Sequence, residues 1–243
     1  MYVHGMGRQV RTGFQYSTVR MVTRTPIDPV LTAYQETPTA ENSKLVIEAT
    51  LKWVSHDCDT AVDIGCGQNW ITDLVTCDTT GVDPGGVSVP YVPSHWPQDR
   101  PHTLLPTRAD VIATLGDEWF QSRHAQFDCA FALASIHYRP LENILEAIDQ
   151  VMQMCTKRAY ISINSRRPID EAYKHFAKTG ERTLIESNKK FMDTLDCDTH
   201  DLQKPFMDYL ITHIPHTVEA NWLFTHDGKD AGFEGDIHMV LSH

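Results

Sequence analysis

With 243 residues, 41% of them hydrophobic, and a formal net charge of −11, the chain is sized for one α/β domain with decorations. The acidic total excludes a generally basic nucleic-acid surface, although a local one stays open. No run of about 18 apolar residues occurs, so no membrane span is expected, and the opening residues hold no apolar signal segment, so a cytoplasmic location is expected rather than secretion. The six cysteines are scattered with no Cys-x-x-Cys pair, which fits reduced thiols rather than a disulfide frame or a zinc site.

Residues 1–36 form an N-terminal segment with Arg8, Arg11, Arg20 and Arg24 and no acid before Asp28. Val, Thr and Tyr recur from Phe14 to Thr25, which suits an extended stretch. Two readings stand: a basic arm that meets an anionic substrate such as RNA, DNA or a phosphate ester, or a solvated segment that covers the domain edge. Thr37-Pro38 offers a cap and a first-turn proline, and Val46, Ala49, Trp53 and Val54 then share a helical face. One domain, 37–243, is expected to begin there.

The apolar run Ala61–Ile64 reads as a buried parallel strand. It ends in Gly65-x-Gly67, after which Ile71, Leu74 and Val75 fall on one face of a helix. Strand, glycine turn and helix make a nucleotide-binding crossover, and the glycines let bare backbone approach a ligand. The next strand, Thr79–Val82, is followed by Asp83, about twenty residues on, where a carboxylate can take the hydroxyls of a ribose. Beyond it, Pro84-Gly85-Gly86 opens an irregular loop holding Tyr91, His95 and Trp96, which either borders the ligand crevice or is an exposed excursion.

The order Asp63-x-Gly65-x-Gly67 followed by Asp83 resembles motif I and the motif II acid of the class I (Rossmann-like) S-adenosylmethionine-dependent methyltransferases. A dinucleotide-binding unit would show Gly-x-Gly-x-x-Gly, and Trp70 stands where its third glycine belongs. The resemblance implies S-adenosyl-L-methionine as cofactor and S-adenosyl-L-homocysteine as product. It places Asp63 near the methionine end, Gly65, Cys66 and Gly67 in the turn, and Asp83 with Pro84 at the ribose.

His102–Leu105 is a short third strand, followed by Arg108-Ala109-Asp110 and a helix from Val111 through Phe120. The resemblance implies an acid for the adenine amino group here. Asp110 fits, with Ala109 along the ring, and Gly116-Asp117 is a competing match. The fourth strand, Phe127–Leu133, leads into Ala134-Ser135-Ile136-His137-Tyr138, and Pro140 opens a helix with Leu141, Ile144, Leu145, Ile148, Val151 and Met152 at helical spacing. Phe-Asp, an apolar run, then Ser-apolar-His resembles motif IV of methyltransferases that act on small molecules and some RNAs. It differs from the Asn/Asp-Pro-Pro-Tyr/Phe motif of amino-directed DNA enzymes, and no Pro-Cys nucleophile is present. The resemblance puts Leu133 and Ala134 at the cofactor and His137 and Tyr138 beside the reactive methyl. His137 is either a general base or a residue that packs at the strand end.

Arg158–Asn164 is the fifth strand, and Asn164, Arg166 and Arg167 emerge at its carboxyl end as candidates for a polar or anionic substrate. From about 168 to 213 a helical insertion is expected. His216–Thr225 and Phe233–Leu241, joined by Asp227-Gly228-Lys229-Asp230, read as a hairpin, and a final antiparallel strand is the closing feature of the class I methyltransferase sheet. The expected fold is a three-layer α/β/α sandwich around a mostly parallel seven-stranded sheet. His213-x-x-His216 lacks helical spacing and an acidic or Cys companion, so no metal is expected, and neither a P-loop nor a Gly-x-Ser-x-Gly elbow occurs. The expected activity is methyl transfer to a nucleic acid, RNA ahead of DNA, or to a small molecule. The alternatives are a non-catalytic subunit that supports a partner enzyme and, further off, a nicotinamide oxidoreductase.

Overall fold

The structure, a computed structural model, describes residues 24–66, 71, 74–82, 102–105, 124–136, 140–198, 202–224 and 236–243. Seven strands form one sheet: β1 (Thr60–Ile64), β2 (Asp78–Val82), β3 (His102–Leu105), β4 (Phe127–Leu133), β5 (Cys155–Asn164), β6 (Thr217–Leu223) and β7 (Asp236–Ser242). Their order is β3-β2-β1-β4-β5-β7-β6. All neighbouring pairs are parallel except those of β7, which runs against both β5 and β6. This is the expected seven-stranded sheet closed by an antiparallel last strand.

Side chains alternate across the sheet and supply two cores. On one face Val62, Ile64, Ala130, Ala132, Ile161, Ile163, Met239 and Leu241 join the helices α3 (Ile144–Met154), α5 (Thr183–Thr194) and α6 (Gln203–His213). On the other, Ala61, Cys129, Phe131, Tyr160, Trp222 and Val240 meet α1 (Asp28–Glu36) and α2 (Ala40–Ser55). The remaining helix, α4 (Arg167–Thr179), follows β5 directly. Helices on both faces make the three layers. Central strands are buried on both sides, which is why β1 and β4 are nearly continuous apolar runs. Each fully buried Ile or Phe contributes roughly 1.5–3 kcal/mol.

The second core contains a polar pair. Tyr160 and His238 are buried, with Tyr160 Oη 2.8 Å from His238 Nδ1. Burial pushes the histidine down to about 3 and raises the tyrosine, so a neutral imidazole accepts from the phenol O–H.

Two boundaries differ from expectation. Thr39, not Thr37, caps α2: its Oγ1 accepts from the Asn42 N–H at 3.2 Å. The packed domain also reaches N-terminal of residue 37. Helix α1 lies against α2, Ile27 and Tyr34 are buried, and the Tyr34 ring meets Phe224 edge-on at 4.8 Å. The insertion comprises three helices, α4 to α6, rather than the single helix a crossover needs.

Candidate functional site

In an open α/β sheet, a ligand crevice lies outside the carboxyl ends of the strands where the strand order reverses. Here that point is between β1 and β4. From β1 the chain steps outward to β2 and β3, then returns to the other side of β1 as β4. Of the expected site residues, Asp63, Gly65, Cys66, Leu133 and Ala134 are described, and they stand at the ends of β1 and β4 on either side of that point.

At the end of β1, Asp63 is 3% exposed and Cys66 is buried. The turn is fastened to β2: the N–H groups of Gly65 and Cys66 both donate to the Val82 carbonyl, at 2.6 and 3.1 Å. Gly65 has φ +72°, a conformation that side chains resist, and a Cβ there would overlap Ser135 Cβ. The β4 end by itself therefore requires a glycine here, because the bare face of Gly65 meets Ser135.

At the end of β4, Leu133 and Ala134 are half-buried. Ala134 has φ +52°, and its N–H donates to both the hydroxyl and the carbonyl of Ser162 on β5, at 2.9 and 3.1 Å. At the end of β5, Asn164 Oδ1 accepts from the Arg166 N–H at 3.0 Å, a local turn that starts α4. Arg166 is exposed and stands at the N-cap position of α4 without a capping side-chain bond, and Arg167 is the first residue of that helix. The Ser135 and Ser165 hydroxyls at this edge are buried without a hydrogen-bond partner among the described residues. Gly67, Asp83, Pro84, Ala109, Asp110, Asp117, His137 and Tyr138 lie outside the described residues.

Two residues of this edge, Ser162 and Asn188, were not singled out in the sequence, and Ser135 entered only as the serine of the Ser-apolar-His run. Ser135 and Ser162 shape the strand ends through contacts too distant in sequence for any local pattern to announce. Asn188 is different. It lies at helical spacing from Ile185, Phe191 and Met192, a buried polar residue in an apolar stripe, and that pattern is a readable signal. Its Oδ1 accepts from the Leu141 N–H at 3.0 Å and its Nδ2 donates to the Pro168 carbonyl at 3.3 Å. The amide thereby ties α5 to the β4–α3 connection and to the start of α4.

The histidine pair of the sequence goes to separate partners. His213 Nδ1 lies 2.8 Å from the Tyr209 carbonyl, and His216 Nε2 lies 2.9 Å from Asp149. Among the described residues, no three His, Cys, Asp or Glu side chains could hold a metal ion. No described helix is long and apolar enough to cross a membrane.

No protein-family model and no curated protein matches the sequence. Solved structures resemble its overall path. The N-methyltransferase NodS from Bradyrhizobium japonicum WM9 is 13% identical with a TM-score of 0.46, over 86% of this chain and 98% of that one. The plantazolicin methyltransferase BpumL, solved with S-adenosylhomocysteine, is 13% identical with a TM-score of 0.46, over 88% of each chain. A chain from Rhodobacter sphaeroides described among the Zn-dependent alcohol dehydrogenases is 11% identical with a TM-score of 0.43, over 76% of this chain and 84% of that one. At these values the likenesses carry no conclusion about the chemistry of this chain.

Proposed function

We propose that the chain is an S-adenosylmethionine-dependent methyltransferase acting on a small-molecule acceptor. The observation that carries this reading is the β1 end at the reversal of strand order. There a buried carboxylate, Asp63, precedes a glycine turn whose two N–H groups are already bonded to Val82. A dinucleotide needs such amides for its pyrophosphate, and a carboxylate beside them would repel it. A donor with a sulfonium and an ammonium and no phosphate suits an acidic strand end instead. The fit of the described residues therefore favours this cofactor over a nicotinamide dinucleotide.

When bound, the donor supplies a methyl group already activated by its sulfonium. The chain's part is to bind and align, which can supply much of the acceleration. Asp63, Gly65 and Cys66 are proposed for the methionine side, with Gly67 completing the turn. Asp83, next in sequence to Val82, and Pro84 are proposed for the ribose, and Asp110 with Ala109 for adenine. Leu133 and Ala134 would close the β4 side. His137 is proposed as the group that takes a proton from the acceptor, beside Tyr138, and Asn164, Arg166 and Arg167 as acceptor contacts. The net charge of −11 favours a small molecule over RNA.

Calorimetry with S-adenosylmethionine, S-adenosylhomocysteine and NAD tests the cofactor. Saturable binding of the first two is expected, with Asp83→Ala weakening it at least tenfold while the fold stays intact. Binding of NAD alone would overturn the reading, and a bound donor with no transfer to any pool would favour the non-catalytic subunit. Incubation with a radiolabelled methyl donor and separate metabolite, RNA, DNA and protein pools then identifies the acceptor class. Label in RNA would favour the reading of the arginine segment as an arm that meets an anionic substrate.

A further inference from the structure

A half-open cavity of about 300 Å³ lies between α4 and α5 in the insertion, with no described residue of the β1 turn in its lining. Its floor is apolar: Ile169, Ala172 and Met192 are each at most 8% exposed and belong to the core side of the two helices. On its wall stands Tyr173, 55% exposed, one of two large hydrophobic side chains so exposed among the described residues. An exposed aromatic ring beside an apolar hollow is the usual form of a small-ligand site.

The walls carry charge. Asp193 and Asp198 line the cavity with one lysine, Lys189, and a contiguous depression shares both aspartates and adds Asp196. The three carboxylates outnumber the one ammonium, so the local field is negative and an anionic ligand is opposed. A ring face attracts the same sign of ligand as a carboxylate does, because its quadrupole is negative. At that volume the cavity has room for a small molecule and is too small for a folded partner. Asn188, which lines it, also fixes it, since its amide joins α4 and α5 to the β4–α3 connection.

We infer that this cavity binds a small organic cation with an apolar body, such as an arylalkylammonium. The apolar body lies on Ile169, Ala172 and Met192, and the ammonium lies between the Tyr173 ring and the Asp193 and Asp198 carboxylates. The inference does not depend on the methyl-donor reading, and its test uses no donor.

The full chain, labelled with ¹³C at its methionine methyls, is titrated with 2-phenylethylammonium, benzyltrimethylammonium and 3-phenylpropanoate. The Met192 signal is assigned by its loss in Met192→Leu. Both cations are expected to shift it saturably at millimolar concentration or below, and the carboxylate to leave it unmoved. Asp193→Asn combined with Asp198→Asn is expected to weaken the cations at least tenfold, Asp193→Asn alone to weaken them several-fold with the melting temperature unchanged, and Tyr173→Ala to weaken them several-fold. Equal binding of the carboxylate, no saturable shift with either cation, or full affinity in the double variant would overturn the proposal.

Discussion

The two edges of the sheet are built by different means. At the amino edge, side chains cross-tie the strands. Asp128 at the start of β4 accepts from the Asp59 and Thr60 N–H groups at 2.7 and 3.2 Å, and Lys157 pairs with it from β5 at 3.4 Å while also reaching the Asp57 carbonyl. Ser55 and Thr76 tie the end of α2 to the approach to β2. At the carboxyl edge, backbone bonds join the strands directly, Gly65 and Cys66 to Val82 and Ala134 to Ser162, and the side chains of Ser162, Asn164 and Asn188 add ties to the connections that follow. Two buried hydroxyls there, Ser135 and Ser165, are without partners among the described residues. The described polar groups named at the amino edge all hold the fold, whereas the carboxyl edge combines such ties with two buried hydroxyls that have no described partner.

The strongest way to break this contrast is Gly65→Ala. The added Cβ meets Ser135, and the residue must hold φ +72°. Left-handed strain and overpacking together are expected to cost about 2–5 kcal/mol. Chemical denaturation measures the loss, and Ser135→Gly in the same chain should recover the overpacking part. No recovery would mean that Ser135 is not what requires the glycine.

Asp128→Ala is expected to cost about 1–2 kcal/mol, because two backbone donors lose a charged acceptor. The Asp59 N–H bond above all, with Thr60 and Lys157, holds this carboxyl below its ordinary value of 3.8. Its contribution is therefore full above that value and falls away as pH drops through the lowered one. The gap between wild type and variant should be constant near neutrality and close in acid, by denaturation at several pH values. Binding of S-adenosylmethionine should not change, since Asp128 is at the far edge. A gap that persists in acid, or a loss of donor binding, would contradict the division between the edges.

The same Asp128 marks how far the sequence could be read. Its Phe-Asp run identified β4 and resembled a motif near a reacting methyl, yet the carboxylate itself is a structural tie. The long runs of β1 and β4 and the periodicity of α3 were legible because both-sided burial and helical spacing leave local patterns. Strand order was legible only through the resemblance, since no period reports which strand is the neighbour. Helix α1 was missed because Tyr34 is its one buried residue, too little for an apolar stripe. Thr37 was read as the cap of α2 from the proline that follows it, whereas Thr39 supplies the oxygen that accepts from the Asn42 N–H. Gly65 was legible as special, but its partner, Ser135, is a contact made by the fold.

The smallest effect gives the sharpest comparison, because one substitution can be made at both edges. Ser55 Oγ donates to the Leu51 carbonyl at 2.8 Å and accepts from the Thr76 N–H at 3.3 Å. Ser55→Ala leaves that N–H without its acceptor and should cost about 1 kcal/mol. Ser165 is equally buried, but its hydroxyl has no described partner to lose. Ser165→Ala should therefore change stability by less than about 0.5 kcal/mol, since removing an unpaired buried hydroxyl also removes its desolvation penalty. If Ser165 serves the crevice, the same variant should weaken donor binding or turnover while its denaturation curve overlays the wild type. Equal destabilisation by the two variants would mean that the carboxyl-edge hydroxyl is a structural tie after all, and that the two edges differ in position only.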